Sequence, residues 1–386
     1  MRQLILDRRD WIPEEVFHPM SPGLSYGVLC PGVRNLRWTA VARTVPLHRL
    51  LLSQKLTTLW FMYESSSSPE ENLSILQQMI MELDTFHLRD LSLQWWSLEE
   101  TSTRMESAAS AAVLRCGPAL EELTVSSFLS DAAVQHIMRL PNLRAWDTMN
   151  GPPRTLNLSL SDIFPRLDRL SLGEEVSLEW LTFFTTTTRR ISSGTSSYIP
   201  LKHGPIERLR ELEIFPDVII DGAFMSRINQ FRELTSLRLT SACYTMDDCA
   251  FNLTDDDIAE IAAALPRLEV AVLGRVCRAN SCQTTVASLV SFSTQCRDLN
   301  WLEIHFNTTN LRNDLDTISV DPRLDSLPTR RTSNNFRLFL SDAPYKINED
   351  DIAPVVRGFC RIFPSLAELF GNSASWKALN PRLLEA

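Results

Sequence analysis

One tail recurs down this chain: a hydrophobe or cysteine, usually a proline or glycine, then Leu-x-x-Leu-x-Leu. It stands as Cys30-Pro31-Gly32-Val33-x-x-Leu36-x-Trp38 and as Leu140-Pro141-Asn142-Leu143-x-x-Trp146. It returns as Phe164-Pro165-Arg166-Leu167-x-x-Leu170-x-Leu172, as Leu265-Pro266-Arg267-Leu268-x-x-Ala271-x-Leu273 and as Phe363-Pro364-Ser365-Leu366-x-x-Leu369. Copies without the proline keep the spacing, as in Leu56-x-x-Leu59-x-Phe61, Leu88-x-x-Leu91-x-Leu93 and Leu234-x-x-Leu237-x-Leu239. A recurring unit constrains the architecture before any single residue does, because every copy must make the same local structure.

The middle apolar residue falls at 36, 59, 91, 123, 146, 170, 212, 237, 271, 302, 338 and 369, in steps of 23 to 42 residues. Steps of this size fit leucine-rich repeats with some long members. The final Leu-x-Leu has the period of a strand, so both leucines point the same way. The stretches before the tails have helical spacing: Ile75, Met79, Leu83; Ala109, Val113, Leu114; Val134, Ile137, Met138; Ile258, Ile261, Ala262, Leu265. Proline or glycine then stops the helix and turns the chain into the strand.

Strand, turn, helix, turn predicts an α/β leucine-rich-repeat solenoid, with a curved parallel sheet on the concave side and helices on the convex side. One repeat buries three or four apolar side chains, roughly 5–10 kcal/mol. Ordering about 30 residues costs several times that. No repeat folds alone, so neighbours must stack. The expected organisation is an N-terminal cap or remnant over residues 1–25, about twelve repeats over 26–375, and a tail over 376–386. Three stretches break the period and read as long loops: Thr185–Pro205, Ser241–Asp257 and Asn307–Asn335.

Composition narrows the function. The 386 residues carry a net charge of −9, against the basic footprint that non-specific nucleic-acid binding needs. Only 12 glycines are present, which disfavours a glycine-rich phosphate loop. No apolar run reaches membrane-spanning length. The charged start, Met1 to Asp10, does not read as a signal peptide. An intracellular protein, cytoplasmic or nuclear, with reduced cysteines is expected.

Of the eight cysteines, Cys30, Cys116 and Cys296 take the place of a small buried hydrophobe ahead of a tail. Cys243, Cys249, Cys277 and Cys282 cluster without a Cys-x-x-Cys pair or a nearby histidine, so no zinc site is expected. Asp255-Asp256-Asp257 reads as acids at a helix start, complementing the helix dipole. The six histidines fall in no catalytic context. No catalytic residue, cofactor or metal is expected.

The chemistry then lies on the strand face. Residues flanking the inward leucines point to the concave side. These include Arg37, Trp60, Asp90, Ser92, Glu122, Thr124, Arg169 and Ser171. The densest set is in the C-terminal half: Glu211, Glu213, Arg238, Trp301, Glu303 and His305. Aromatics and arginines mixed with acids are what protein interfaces use, so these six are the candidate partner-binding residues.

Val45-Pro46-Leu47-His48-Arg49-Leu50-Leu51-Leu52-Ser53-Gln54-Lys55-Leu56-Thr57-Thr58-Leu59 resembles the entry repeats of the fungal F-box/leucine-rich-repeat family. So do Cys30-Pro31-Gly32-Val33-Arg34-Asn35-Leu36 and Cys296-Arg297-Asp298-Leu299-Asn300-Trp301-Leu302-Glu303-Ile304. The likeness covers about residues 26–375. It implies that the repeats recognise the substrate protein of a ubiquitin ligase. Family members carry an N-terminal F-box that docks a Skp-type adaptor of a cullin ligase. Trp11-Ile12-Pro13-Glu14-Glu15-Val16-Phe17 echoes its opening, but the stretch before the first repeat is too short for the module. A Skp-type adaptor is therefore expected only where a longer protein supplies a complete F-box. Two other readings stay open: a regulatory leucine-rich-repeat protein unrelated to ubiquitin, and an enzyme on a repeat scaffold.

Overall fold

The computed structural model describes residues 3–6, 31–41, 51–64, 70–83, 85, 87–96, 102–150, 164–174, 208–215, 219–240, 251–274, 283–305, 307, 309–318, 324, 336–341 and 349–371. They fall in two compact units, Met1–Gly173 and Glu174–Ala386. The first holds β1 (Gln3–Leu6), β2 (Asn35–Val41), β3 (Thr58–Glu64), α1 (Glu70–Glu82) and β4 (Asp90–Trp96). It continues with α2 (Ser102–Leu114), β5 (Glu122–Val125), α3 (Asp131–Met138), β6 (Ala145–Asn150) and β7 (Arg169–Glu174). The second holds β8 (Glu211–Ile214), α4 (Gly222–Ile228), β9 (Ser236–Leu239), α5 (Asp255–Ala264) and β10 (Val270–Leu273). It ends with α6 (Val286–Gln295), β11 (Trp301–His305), α7 (Leu311–Ile318), β12 (Phe336–Ser341), α8 (Glu349–Ile362) and β13 (Leu366–Gly371).

Within each unit the strands lie in chain order, every described pairing being parallel. Parallel neighbours need a crossover, and right-handed crossovers put the helices on one face. The repeat is visible in the register. Leu4, Leu36, Leu59, Leu91, Leu123 and Trp146 stand side by side in the first unit. Leu212, Leu237, Ala271, Leu302, Leu338 and Leu369 do so in the second. From Leu36 on, each is 2 % exposed or less. The α/β leucine-rich-repeat arrangement expected from the tail is what each unit contains.

A second ladder repeats at the strand entries. One carbonyl accepts the two successive N–H groups that open the next strand. Arg34 O takes Thr57 and Thr58, Thr57 O takes Arg89 and Asp90, and Arg89 O takes Glu121 and Glu122. Arg210 O takes Thr235 and Ser236, Thr235 O takes Glu269 and Val270, and Glu269 O takes Asn300 and Trp301. These bonds satisfy the backbone where the helix-to-strand turn would leave it unpaired.

Several expectations need adjustment. Gln3–Leu6, within the segment read as a cap or remnant, forms a strand paired with β2 that the sequence did not indicate. Leu114, taken as part of the buried helix face, is 44 % exposed, because Val113 already fills the inward position. Asn307–Asn335 is not all loop: it contains α7, which buries Leu311 and Leu315. The Thr185–Pro205 stretch, the Trp11–Phe17 echo and the tail from 376 lie outside the described residues.

The acids at 255–257 are helix-start residues, as read, and do more. Thr254 caps α5, and the Asp257 carboxylate returns a bond to the Thr254 N–H, closing a capping box. Asp255 reaches the next repeat. Its carboxylate accepts from Thr285 N at 2.7 Å, from Thr285 Oγ1 at 2.7 Å and from Ser288 Oγ. Asp255→Ala leaves these donors unanswered and is expected to cost about 1–3 kcal/mol. Chemical denaturation of the variant measures it, and an unchanged midpoint would show that the bonds contribute nothing net.

Candidate protein-binding faces

Side chains that alternate with the buried leucines form rows across the strands. In the second unit one row runs Glu211, Ser236, Val270, Trp301, Arg337, Glu368. The next runs Glu213, Arg238, Val272, Glu303, Phe339, Phe370. All six candidate residues are therefore on one face of one unit, as their spacing required.

They are not equally available. Glu211 is exposed, and Glu213, Arg238 and Trp301 are half-buried. Glu303 and His305 are each only 6 % exposed, and Val272 beside Glu303 is at 1 %. Those two are buried polar groups rather than the open contacts the alternation suggests. Glu303 is paired in register with Phe339 on β12. Trp301 stacks on Phe370 with ring centroids 6.4 Å apart and planes at 25°, and Phe339 stacks on Phe370 at 6.3 Å and 24°. The three flat rings form an aromatic shelf, and Arg337 bonds Glu368 at 2.7 Å along its margin. The Trp301 indole N–H is buried and has no acceptor among the described residues. Phe339 and Phe370 extend the set that the sequence picked out. Phe370 was missed because the last tail is weak and its register shifts between Phe336 and Arg337.

The first unit presents a different face. One row is Gln3, Asn35, Thr58, Asp90, Glu122, Ala145, with Arg169 on β7 beyond. The Arg169 guanidinium passes over the small Ala145 to bond Glu122 at 3.2 Å. The next row is Ile5, Arg37, Trp60, Ser92, Thr124, Asp147. Arg37 lies over the Trp60 ring, 3.5 Å from its centroid, in cation–π contact. Asp147 escaped the sequence reading because Trp146 replaces the usual leucine, so its flanks were not read as strand.

The acids here are electrostatically uncomfortable. Burial, then the negative charge of Glu122, push the Asp90 carboxyl up to about 6 despite Arg169. Burial also raises Asp147, opposed by a hydrogen bond from Ser171 and by Arg169. The sign follows. A folded pKa above the ordinary 3.8 means that stability falls as pH rises toward about 6 and stays reduced above it. Asp90→Asn is therefore expected to melt higher than the parent at pH 7.5. The gap should close toward pH 4. An equal or lower melting temperature at pH 7.5 would refute it.

Elsewhere, a hollow of about 500 Å³ is lined by Leu114, Cys116, His136 and Leu140, among others. It brings a thiol and an imidazole together without making a nucleophile–base pair. His136 Nε2–H donates to the Cys116 carbonyl at 2.8 Å, and burial pushes the Cys116 thiol up to about 12. Cys116, Cys296 and Cys360 are free thiols, the first two buried. Among the described residues no three His, Cys, Asp or Glu side chains converge as a metal site, and no helix is long and apolar enough to cross a membrane. No protein-family model and no curated protein matches the chain.

Proposed function

We propose that this chain is a protein-binding scaffold that holds its partner on the strand face of the second unit. The observation that carries the reading is the aromatic shelf of Trp301, Phe339 and Phe370, with the Arg337–Glu368 pair at its margin and Arg238 on the same face two strands away on β9. Stacked rings with a polar margin on a hydrogen-bonded sheet give a large rigid contact area with little side-chain entropy to lose. A tryptophan with an arginine beside it on the next strand, here Trp301 and Arg337, is the composition of interface anchors. The setting is that of substrate recognition in an F-box-type ubiquitin ligase, the role implied by the resemblance of 45–59 and 296–304 to that family.

Affinity purification with mass spectrometry, run with and without a proteasome inhibitor, tests the reading. Parallel captures use the parent and Trp301→Ala. A partner recovered only by the parent, and more abundantly with inhibitor, supports both scaffold and ligase role. A partner unaffected by inhibitor supports scaffolding without ubiquitin. Equal recovery by the variant overturns the assignment of the face.

A further inference from the structure

We propose that the strand face around Asp90, Ser92 and Glu122 is an acceptor for an arginine-bearing extended segment of a partner protein. Three observations meet there. Asp90 and Glu122 are cross-strand neighbours on β4 and β5, two carboxylates side by side in one row. Ser92, two residues along β4 from Asp90, is only 4 % exposed, and its Oγ has no hydrogen-bond partner among the described residues. It is a short buried hydroxyl set between Trp60 on β3 and Thr124 on β5, with Asp90 and Gln94 on its own strand, and its polar group is unanswered among the described residues. The third observation is that this face already holds guanidinium groups. Arg169 bonds Glu122, and Arg37 stacks on Trp60.

The chemistry selects arginine. Paired carboxylates accept a planar guanidinium through two parallel N–H donors, which an ammonium cannot supply. Arg169 bonds Glu122, at half-exposed side chains, and its charge only partly offsets the repulsion that Glu122 exerts on Asp90. A guanidinium from a partner would bridge Asp90 and Glu122, relieve that repulsion, and donate to Ser92 Oγ. An extended segment fits because side chains on a strand face repeat every second residue, in step with the rows beneath.

The test is binding of a fluorescein-labelled peptide of alternating arginine and serine, followed by anisotropy against the full chain. Its citrulline twin, equal in shape and neutral, is the comparison. The arginine peptide is expected to bind at least about tenfold more tightly than the twin, and Asp90→Asn with Glu122→Gln should remove most of that difference. Ser92→Ala should weaken binding about threefold with no loss of melting temperature, since the hydroxyl has no hydrogen-bond partner among the described residues. Neutralising two exposed helix acids, Asp131→Asn with Asp256→Asn, should change nothing, and neither should Trp301→Ala. The last control separates this site from the aromatic shelf. If Glu122→Gln disturbs folding, Asp90→Asn alone decides, because it is expected to stabilise the unit while weakening the peptide. The proposal fails if the arginine peptide does not bind, or if the citrulline twin binds as well. It also fails if the helix pair weakens binding as much as the strand pair, which would mean general attraction to a chain of net charge −9.

Discussion

Leu237→Ala is expected to destabilise the second unit by about 2–5 kcal/mol. The side chain is fully buried on β9, between Leu212 on β8 and Ala271 on β10. Its neighbour on one side is already an alanine, so no long side chain there can swing in to fill the space. The cost should therefore fall in the upper part of the range, where a cavity persists. Repeat proteins share each core layer between neighbours, so the damage should spread beyond the mutated strand. Hydrogen exchange should show β8 and β10 losing protection together with β9. Leu114→Ala is the contrast: at 44 % exposure it should change stability by about 0.5 kcal/mol or less. An unchanged melt for Leu237→Ala would place that residue outside the core and break the register that runs from Leu212 to Leu369.

The repeat made the fold readable. A leucine that recurs at strand spacing has one place to go, the buried side of a parallel sheet, and Leu36 to Leu369 all went there. Trp146 and Ala271 could be aligned despite their size because the lead-ins Pro141-Asn142-Leu143 and Pro266-Arg267-Leu268 kept the spacing. Reading failed where the period carried no information. Leu4 has no tail before it, so the strand Gln3–Leu6 within the segment read as a cap or remnant was not legible. Leu311 and Leu315 lie in a polar segment, where two apolar residues a turn apart were outvoted by their neighbours. The outward face was legible in direction but not in depth. Alternation says that Glu303 and His305 point away from the leucines, and they do. It does not say how deep they will lie, since that depends on side chains of other strands. Asp90, Glu122 and Arg169 were legible as outward strand residues, but the ion pair and the like-charge contact they form were not. These residues are 32 to 79 positions apart in sequence, and only the stacking of repeats makes them neighbours.

That distinction decides which residues to mutate for function. Trp301→Ala together with Arg238→Ala is expected to abolish partner capture by the second unit while leaving it folded. Trp301 is half-buried on the outward face, so its loss removes contact surface and one ring of the shelf but no inward core residue. Interface anchors of these two types are typically worth about 2 kcal/mol or more each. Their joint loss comes to roughly 4 kcal/mol, about a thousandfold in affinity. Circular dichroism and a thermal melt check the fold, and immobilised partner from the affinity purification reads the binding. Phe370→Ala serves as an independent probe, because it breaks both stacking contacts of the shelf without touching a charge. It should weaken capture in the same direction. Undiminished binding by the double variant and by Phe370→Ala would move the partner off this face. Loss in the double variant alone would leave the charge of Arg238, rather than the aromatic shelf, as the anchor.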